Sequence, residues 1–224
     1  MLTARLILER LDKDYRLLER REQPSKSFLK NFLSLLYCAH AQIFDAAPYT
    51  MTDITNTART VDSQGYLNIY DRQSKANLRI GSSPGLSSVL CHSGAAALPL
   101  TGTIEGSKLG IQVGTGTTAV TPTDIALAIR VAHGRATGEL EYGGCELINI
   151  VFANPNGEFT IRRYVTNSSG GSITVNEVGI YAVGTDYSAS AAWAFCIARD
   201  IVSPGIAIAN GELLRVTYVV QITV

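Results

Sequence analysis

Leu214-Arg-Val-Thr-Tyr-Val-Val-Gln-Ile-Thr-Val224 decides the fold class. Leu214, Val216, Tyr218, Val220, Ile222 and Val224 fall on one face of an extended chain, while Arg215, Thr217, Gln221 and Thr223 fall mostly on the other. A period of two is that of a strand with one buried and one wetter side. Working back from it, Trp193, Phe195 and Ile197 alternate with Ala194, Cys196 and Ala198, and Ile148, Ile150 and Phe152 share a face. Leu109, Ile111 and Val113 alternate with Lys108, Gly110 and Gln112. Asn154-Pro-Asn-Gly157 reads as a hairpin turn, and Asn167-Ser-Ser-Gly-Gly171 as the turn joining the next pair of strands. Between Ile173 and Val183 the apolar phase flips from Ile173 and Val175 to Val178 and Ile180, which predicts a bulge or break near Asn176 and Glu177. Six or more antiparallel strands with short turns over residues 108–224 indicate a β-sandwich or related barrel.

The N-terminal part reads differently. Ala4, Leu8, Leu11, Tyr15 and Leu18 recur at steps of four and three, which predicts a helix over residues 3–22 with a narrow apolar stripe and Pro24 beyond its end. Ser25 or Ser27 can cap a second helix reaching about Gln42, with Phe28, Leu29, Phe32, Leu33, Leu35, Leu36 and Tyr37 covering most of its circumference. The expected architecture is therefore mainly β, an antiparallel sandwich preceded by an α-helical hairpin or attachment segment at residues 1–44. Leu8, Leu11, Tyr15, Leu18, Phe28, Phe32, Leu36 and Tyr37 are its expected partner-binding surface, with Arg20 and Arg21 as rim charges. Removing residues 1–44 should then leave a soluble β-module. Residues 45–107 are rich in Thr, Asn, Ser and Gly and read as an extended or irregular arm, with short strands at 66–70 and 78–80.

Composition limits the function. A chain of 224 residues that is 46% hydrophobic can bury a core. A formal charge of zero gives no global field for nucleic acid, although eight cations against five carboxylates leave the first thirty residues at +3. No secretory leader or membrane-length apolar run is read in the sequence. Cys38, Cys91, Cys145 and Cys196 lack CxxC spacing, which suits buried, reduced thiols better than zinc. Neither a metal nor a cofactor is expected.

Catalytic groups are sparse. The three histidines are His40, His92 and His133. Adjacent Cys91 and His92 point apart on an extended chain and make a poor nucleophile–base pair. Gly114-Thr-Gly-Thr-Thr118 lacks the Gly-Lys-Ser/Thr ending of a phosphate loop and reads as a turn. Glu139 and Glu141 could share a strand face as paired carboxylates, but solvent-facing strand residues look the same. Asn167-Ser-Ser169 matches a glycosylation acceptor yet reads as a turn. Tyr142 and Tyr187 are possible ligand contacts on loops, whereas Trp193 reads as core.

Three segments carry a family resemblance. Lys108-Leu-Gly-Ile-Gln-Val-Gly-Thr-Gly-Thr-Thr-Ala-Val-Thr-Pro-Thr-Asp124, followed by His133-Gly134, resembles a recurrent stretch of tailed-bacteriophage structural proteins. Ile173-Thr-Val-Asn-Glu-Val-Gly-Ile-Tyr181 is similar to a strand of phage tail fibres and collar fibres, and Ala198-Arg-Asp200 through Asn210-Gly211 to Val224 is similar to their final segment. The resemblance covers the C-terminal half. It implies a non-enzymatic virion protein that forms a homo-oligomer and attaches to portal, neck, tail or capsid partners after folding in the host bacterial cytoplasm. A capsid decoration or head-fibre protein, or a receptor- or glycan-binding module of a tail fibre, are the alternatives it leaves.

Overall fold

The computed structural model describes residues 2–25, 28–34, 49–61, 109–186 and 191–223. Among the described residues there are ten strands: β1 (Leu2–Leu11), β2 (Leu17–Ser25), β3 (Tyr49–Thr52), β4 (Ala58–Val61), β5 (Gly110–Gly114), β6 (Glu141–Ala153), β7 (Asn156–Thr166), β8 (Ile173–Asp186), β9 (Ala191–Ile208) and β10 (Leu213–Thr223). They form a five-stranded sheet in the order β2-β1-β10-β7-β6, a three-stranded sheet β5-β8-β9 and the hairpin β3-β4, with every strand pairing antiparallel. The chain is thus mainly β.

The helix expected over residues 3–22 is replaced by β1 and β2. Ala4 and Leu8 suit both periodicities, because a step of four residues returns to the same side of a helix and of a strand. Leu6 discriminates between them. Ala4, Leu6 and Leu8 are all buried, whereas Thr3, Arg5, Ile7 and Glu9 are only partly so, a period of two. β10 settles the conformation by pairing with β1 throughout, Leu6 opposite Tyr218 and Leu8 opposite Val216. The hairpin loop is closed by Asp12, whose carboxylate accepts the backbone N–H groups of Asp14 and Arg16 at 2.8 and 2.9 Å. Tyr15 sits there at φ 63°. Pro24 lies in the edge strand β2, where a missing ladder donor is tolerated. Of the second expected helix the structure shows one turn, at residues 30–34; the remainder, with Leu35, Leu36 and Tyr37, lies outside the described residues. So do the short strands expected at 66–70 and 78–80.

In the C-terminal half, β6 and β7 form a hairpin through Asn154 and Pro155 as expected. The turn at residues 167–171 does not make a hairpin; it carries the chain from β7 in the five-stranded sheet to β8 in the three-stranded one. The Asn167 side chain holds this crossing together. Fully buried, it donates to the carbonyls of Gly171 and Ile208, both at 2.7 Å, and accepts from Ser169. The register shift in β8 falls between Val175 and Glu177, where the change of apolar phase places it.

One apolar cluster draws on both sheets: Leu6, Leu8, Ile161, Val165, Val216 and Tyr218 from the larger, and Ile111, Val113, Val175, Val178, Ile180 and Ile206 from the smaller. Arg163, buried on the inward face of β7, donates to the carbonyls of Leu109 and Ile111 at 2.6 and 3.0 Å and lies over the Tyr142 ring. Truncating a core leucine such as Leu6 costs about 2–5 kcal/mol in comparable cores, so β1 is an integral part of the module.

Candidate functional site

The bulge in β8 aims a carboxylate into the protein. Glu177 is completely buried, and its Oε1 accepts the backbone N–H of Gly116 at 3.1 Å and of Ile129 at 2.8 Å. Its Oε2 accepts the N–H of Ala128 at 3.0 Å and Nε of Arg199 at 2.8 Å. Arg199, reaching in from β9, also donates from Nη1 to Asp124 at 2.5 Å and from Nη2 to the Thr118 carbonyl at 2.8 Å. Asp124 accepts the hydroxyl and backbone N–H of Thr121. Burial works to raise the Asp124 carboxyl, but the bonds from Thr121 and Arg199 outweigh it and hold the group below the ordinary carboxylate range.

Residues 115–130 are therefore wrapped around an ion-paired centre. Gly114 and Gly116 are required by close approach: a Cβ on either would lie 2.5 Å from Oε1 of Glu177. The loop in turn covers the outer edge of β5, with Thr115 and Val131 exchanging backbone bonds with Ile129 and Val113. Beside this hub, Asp200 accepts Ser25 Oγ at 2.7 Å and the Tyr218 hydroxyl at 3.0 Å, linking β2, β9 and β10. The segments Gly114–Asp124, Asn176–Tyr181 and Ala198–Asp200 thus converge on one buried polar hub. Their spacing in the sequence contained no signal of this; the phase flip at Asn176 and Glu177 was the nearest clue.

The other residues considered for chemistry do not assemble. Glu139 accepts the N–H of Ala136, whereas Glu141 pairs with Arg135 and Ser168, so they serve separate local contacts. His133 Nδ1 accepts the backbone N–H of Tyr142 at 3.0 Å. Tyr142 is no exposed loop contact: it is buried, its hydroxyl bonds the carbonyls of Val113 and Val131, and burial pushes its phenol up to about 12. Asn167 is internal and thus unsuited as a glycan acceptor. Cys145 and Cys196 are buried, with burial pushing the Cys196 thiol well up. Cys38, Cys91, His40, His92 and Tyr187 lie outside the described residues. Among the described residues there is no group of three or more His, Cys, Asp or Glu side chains that could hold a metal ion, and no helix long and apolar enough to cross a membrane.

The expected partner surface is dispersed. Leu8 and Leu11 face the core of their own chain. Phe28 and Phe32 stack on each other at 4.3 Å and pack against the same core. Arg20 pairs with Glu22 and Glu9, and Arg21 with Glu19 and the Pro204 carbonyl. Of the described apolar members, Tyr15 and Leu18 remain exposed, and Arg20 is exposed as well. A surface that sequence reasoning missed lies on β6, where Leu147, Ile148, Ile150, Val151 and Phe152 are exposed, Phe152 at 82%. The alternation of Ile148, Ile150 and Phe152 places them on one strand face without saying whether that face is buried.

Comparison with protein-family models, with curated proteins and with solved structures found no match. Fold and hub together define a mainly β protein whose central charged residues are occupied in holding its own loops.

Proposed function

We propose that this chain is a structural protein of a tailed-bacteriophage virion, an oligomeric neck, collar or tail component built on a β-sandwich module. The observation that carries the reading is the convergence of its phage-like segments on the Glu177–Arg199–Asp124 hub. Residues that recur in a sequence pattern because they bind substrate would leave donors and acceptors open toward a cleft. Here Glu177 takes four internal bonds and Arg199 is spent on two carboxylates and a carbonyl. A motif serving to shape a loop is what a building block requires. The sandwich architecture is supported by the single core shared between the two sheets.

Attachment through an N-terminal helical hairpin no longer forms part of the reading, because β1 and β2 are strands of the module itself. Self-association and partner binding fall instead to its exposed apolar surface, and the role is assembly rather than catalysis. Mass spectrometry of purified phage particles encoding this chain tests the assignment. The chain should be found in the particle in multiple copies; its presence in infected cells but not in particles would overturn the proposal.

A further inference from the structure

Sheet edges expose unpaired backbone N–H and C=O groups, and proteins that remain single chains protect them. Three of the four edges of the two larger sheets are protected among the described residues. The β5 edge is covered by residues 129–131, and the β9 edge by residues 28–29, where Leu29 N–H bonds the Ile197 carbonyl, and by Ile54, whose N–H bonds the Ala194 carbonyl. The edge strand β2 carries Glu19, Arg20, Arg21, Glu22 and Pro24, and Arg21 and Gln23 reach across to carbonyls of β9. The fourth edge is different. From Leu147 to Ala153 β6 has, among the described residues, a strand on one side only; apart from the bulge between Ile148 and Val151 it has none of these protections, carrying no charged residue over seven positions and exposing five large apolar side chains.

We infer that the β6 edge is the contact between two copies of this chain, whose segments 147–153 pair antiparallel about a two-fold axis. The register of β6 against β7 shifts between Ile148 and Val151, so the pairing is not one regular ladder. Glu146, held in its own chain by Arg162 at 2.7 Å, stays outside the uncharged run. A copy of β2 in place of β6 would bring four charges against the apolar run, so the self-pairing is favoured over a head-to-tail chain.

This contact deepens the assembly reading and shares with it the requirement for self-association. Light scattering of the full chain, of Ile150→Lys and of Tyr15→Lys tests it. The wild type should show a mass of at least twice the 24.0 kDa chain. Ile150→Lys should halve that mass with an unchanged circular dichroism spectrum, since Ile150 is 62% exposed, and Tyr15→Lys in the β1–β2 loop should leave it unchanged. Ile150→Cys should form a dimer on oxidation that is reversed by thiol and absent from the wild type. A wild type of single-chain mass, or an Ile150→Lys protein of wild-type mass, overturns the inference. A halved mass for a chain missing from particles would leave the edge contact standing and remove the virion assignment; an unhalved mass for a chain found in particles would do the reverse.

Discussion

Gly116 has room for a hydrogen and nothing more, since an added methyl would lie 2.5 Å from Glu177 Oε1 and 2.7 Å from the Ala128 side chain. Glu177 cannot move aside, because four donors hold it. Gly116→Ala should cost about 1–3 kcal/mol in urea unfolding, the usual range for overpacking a filled site. Glu177→Gln is more severe. It keeps the shape but turns an amide N–H₂ toward backbone N–H groups and leaves Arg199 with Asp124 as its one carboxylate partner. Breaking a buried ion pair from one side typically costs about 3–5 kcal/mol, and a loss below that of Gly116→Ala would show that the hub is not what holds residues 115–130.

At the scale of elements, β1 decides what truncation does. It lies between β2 and β10, and Leu6 and Leu8 contribute to the shared core. Deleting residues 1–44 should therefore give insoluble or unfolded protein, because it bares the β10 edge and removes the buried Leu6, Leu8, Leu11 and Leu29. A soluble, cooperatively unfolding product would show that the five-stranded sheet does not need β1. Removing residues 219–224 should act in the same way, since Val219 to Thr223 pair with β7 and, except for Thr223, with β1 on the other side.

For the whole molecule, the ion pairs set an acid limit and the buried phenols an alkaline one. Glu9, bonded by Arg215, and Glu22, bonded by Arg5 and Arg20, titrate below the ordinary range on the outer face of the larger sheet. Asp124 and Glu141 are also lowered, Glu141 by Ser168 and Arg135. A carboxyl with a depressed folded-state value stabilises above its unfolded value, here 4.5 for Glu and 3.8 for Asp, and that contribution is lost as pH falls through the folded value. Urea midpoints should hold constant near neutrality and drop below those values, and salt should shrink the part due to the exposed pairs. Tyr142 works in the opposite sense. Its stabilisation is complete below the unfolded value of 10.0 and lost as pH rises toward about 12, with the buried Tyr181 and Tyr218 phenols raised in the same direction. Tyrosine absorbance that titrated fully at the unfolded value, without unfolding, would contradict the burial of these three rings.

Local pattern by itself determined the β character of residues 108–224, the β10 strand, the Asn154–Pro155 hairpin and the β8 bulge. Each of these rests on the alternation of neighbouring side chains or on turn chemistry, which a short window contains. The N-terminal strands were misread because Ala4 and Leu8 satisfy both a period of two and a helical stripe, and the partner that chooses, β10, lies more than two hundred residues away. Separation along the chain also hid the hub. Glu177, Arg199 and Asp124 meet only when β8, β9 and the loop 115–130 are brought together, and a charged residue in a strand gives no local sign of whether it faces water or another charge. Tertiary structure likewise decided the sense of β6, whose alternating isoleucines would suit a core strand equally well. Among the described residues β6 is last in its sheet, and strand order is a property of the assembled fold that no local period encodes.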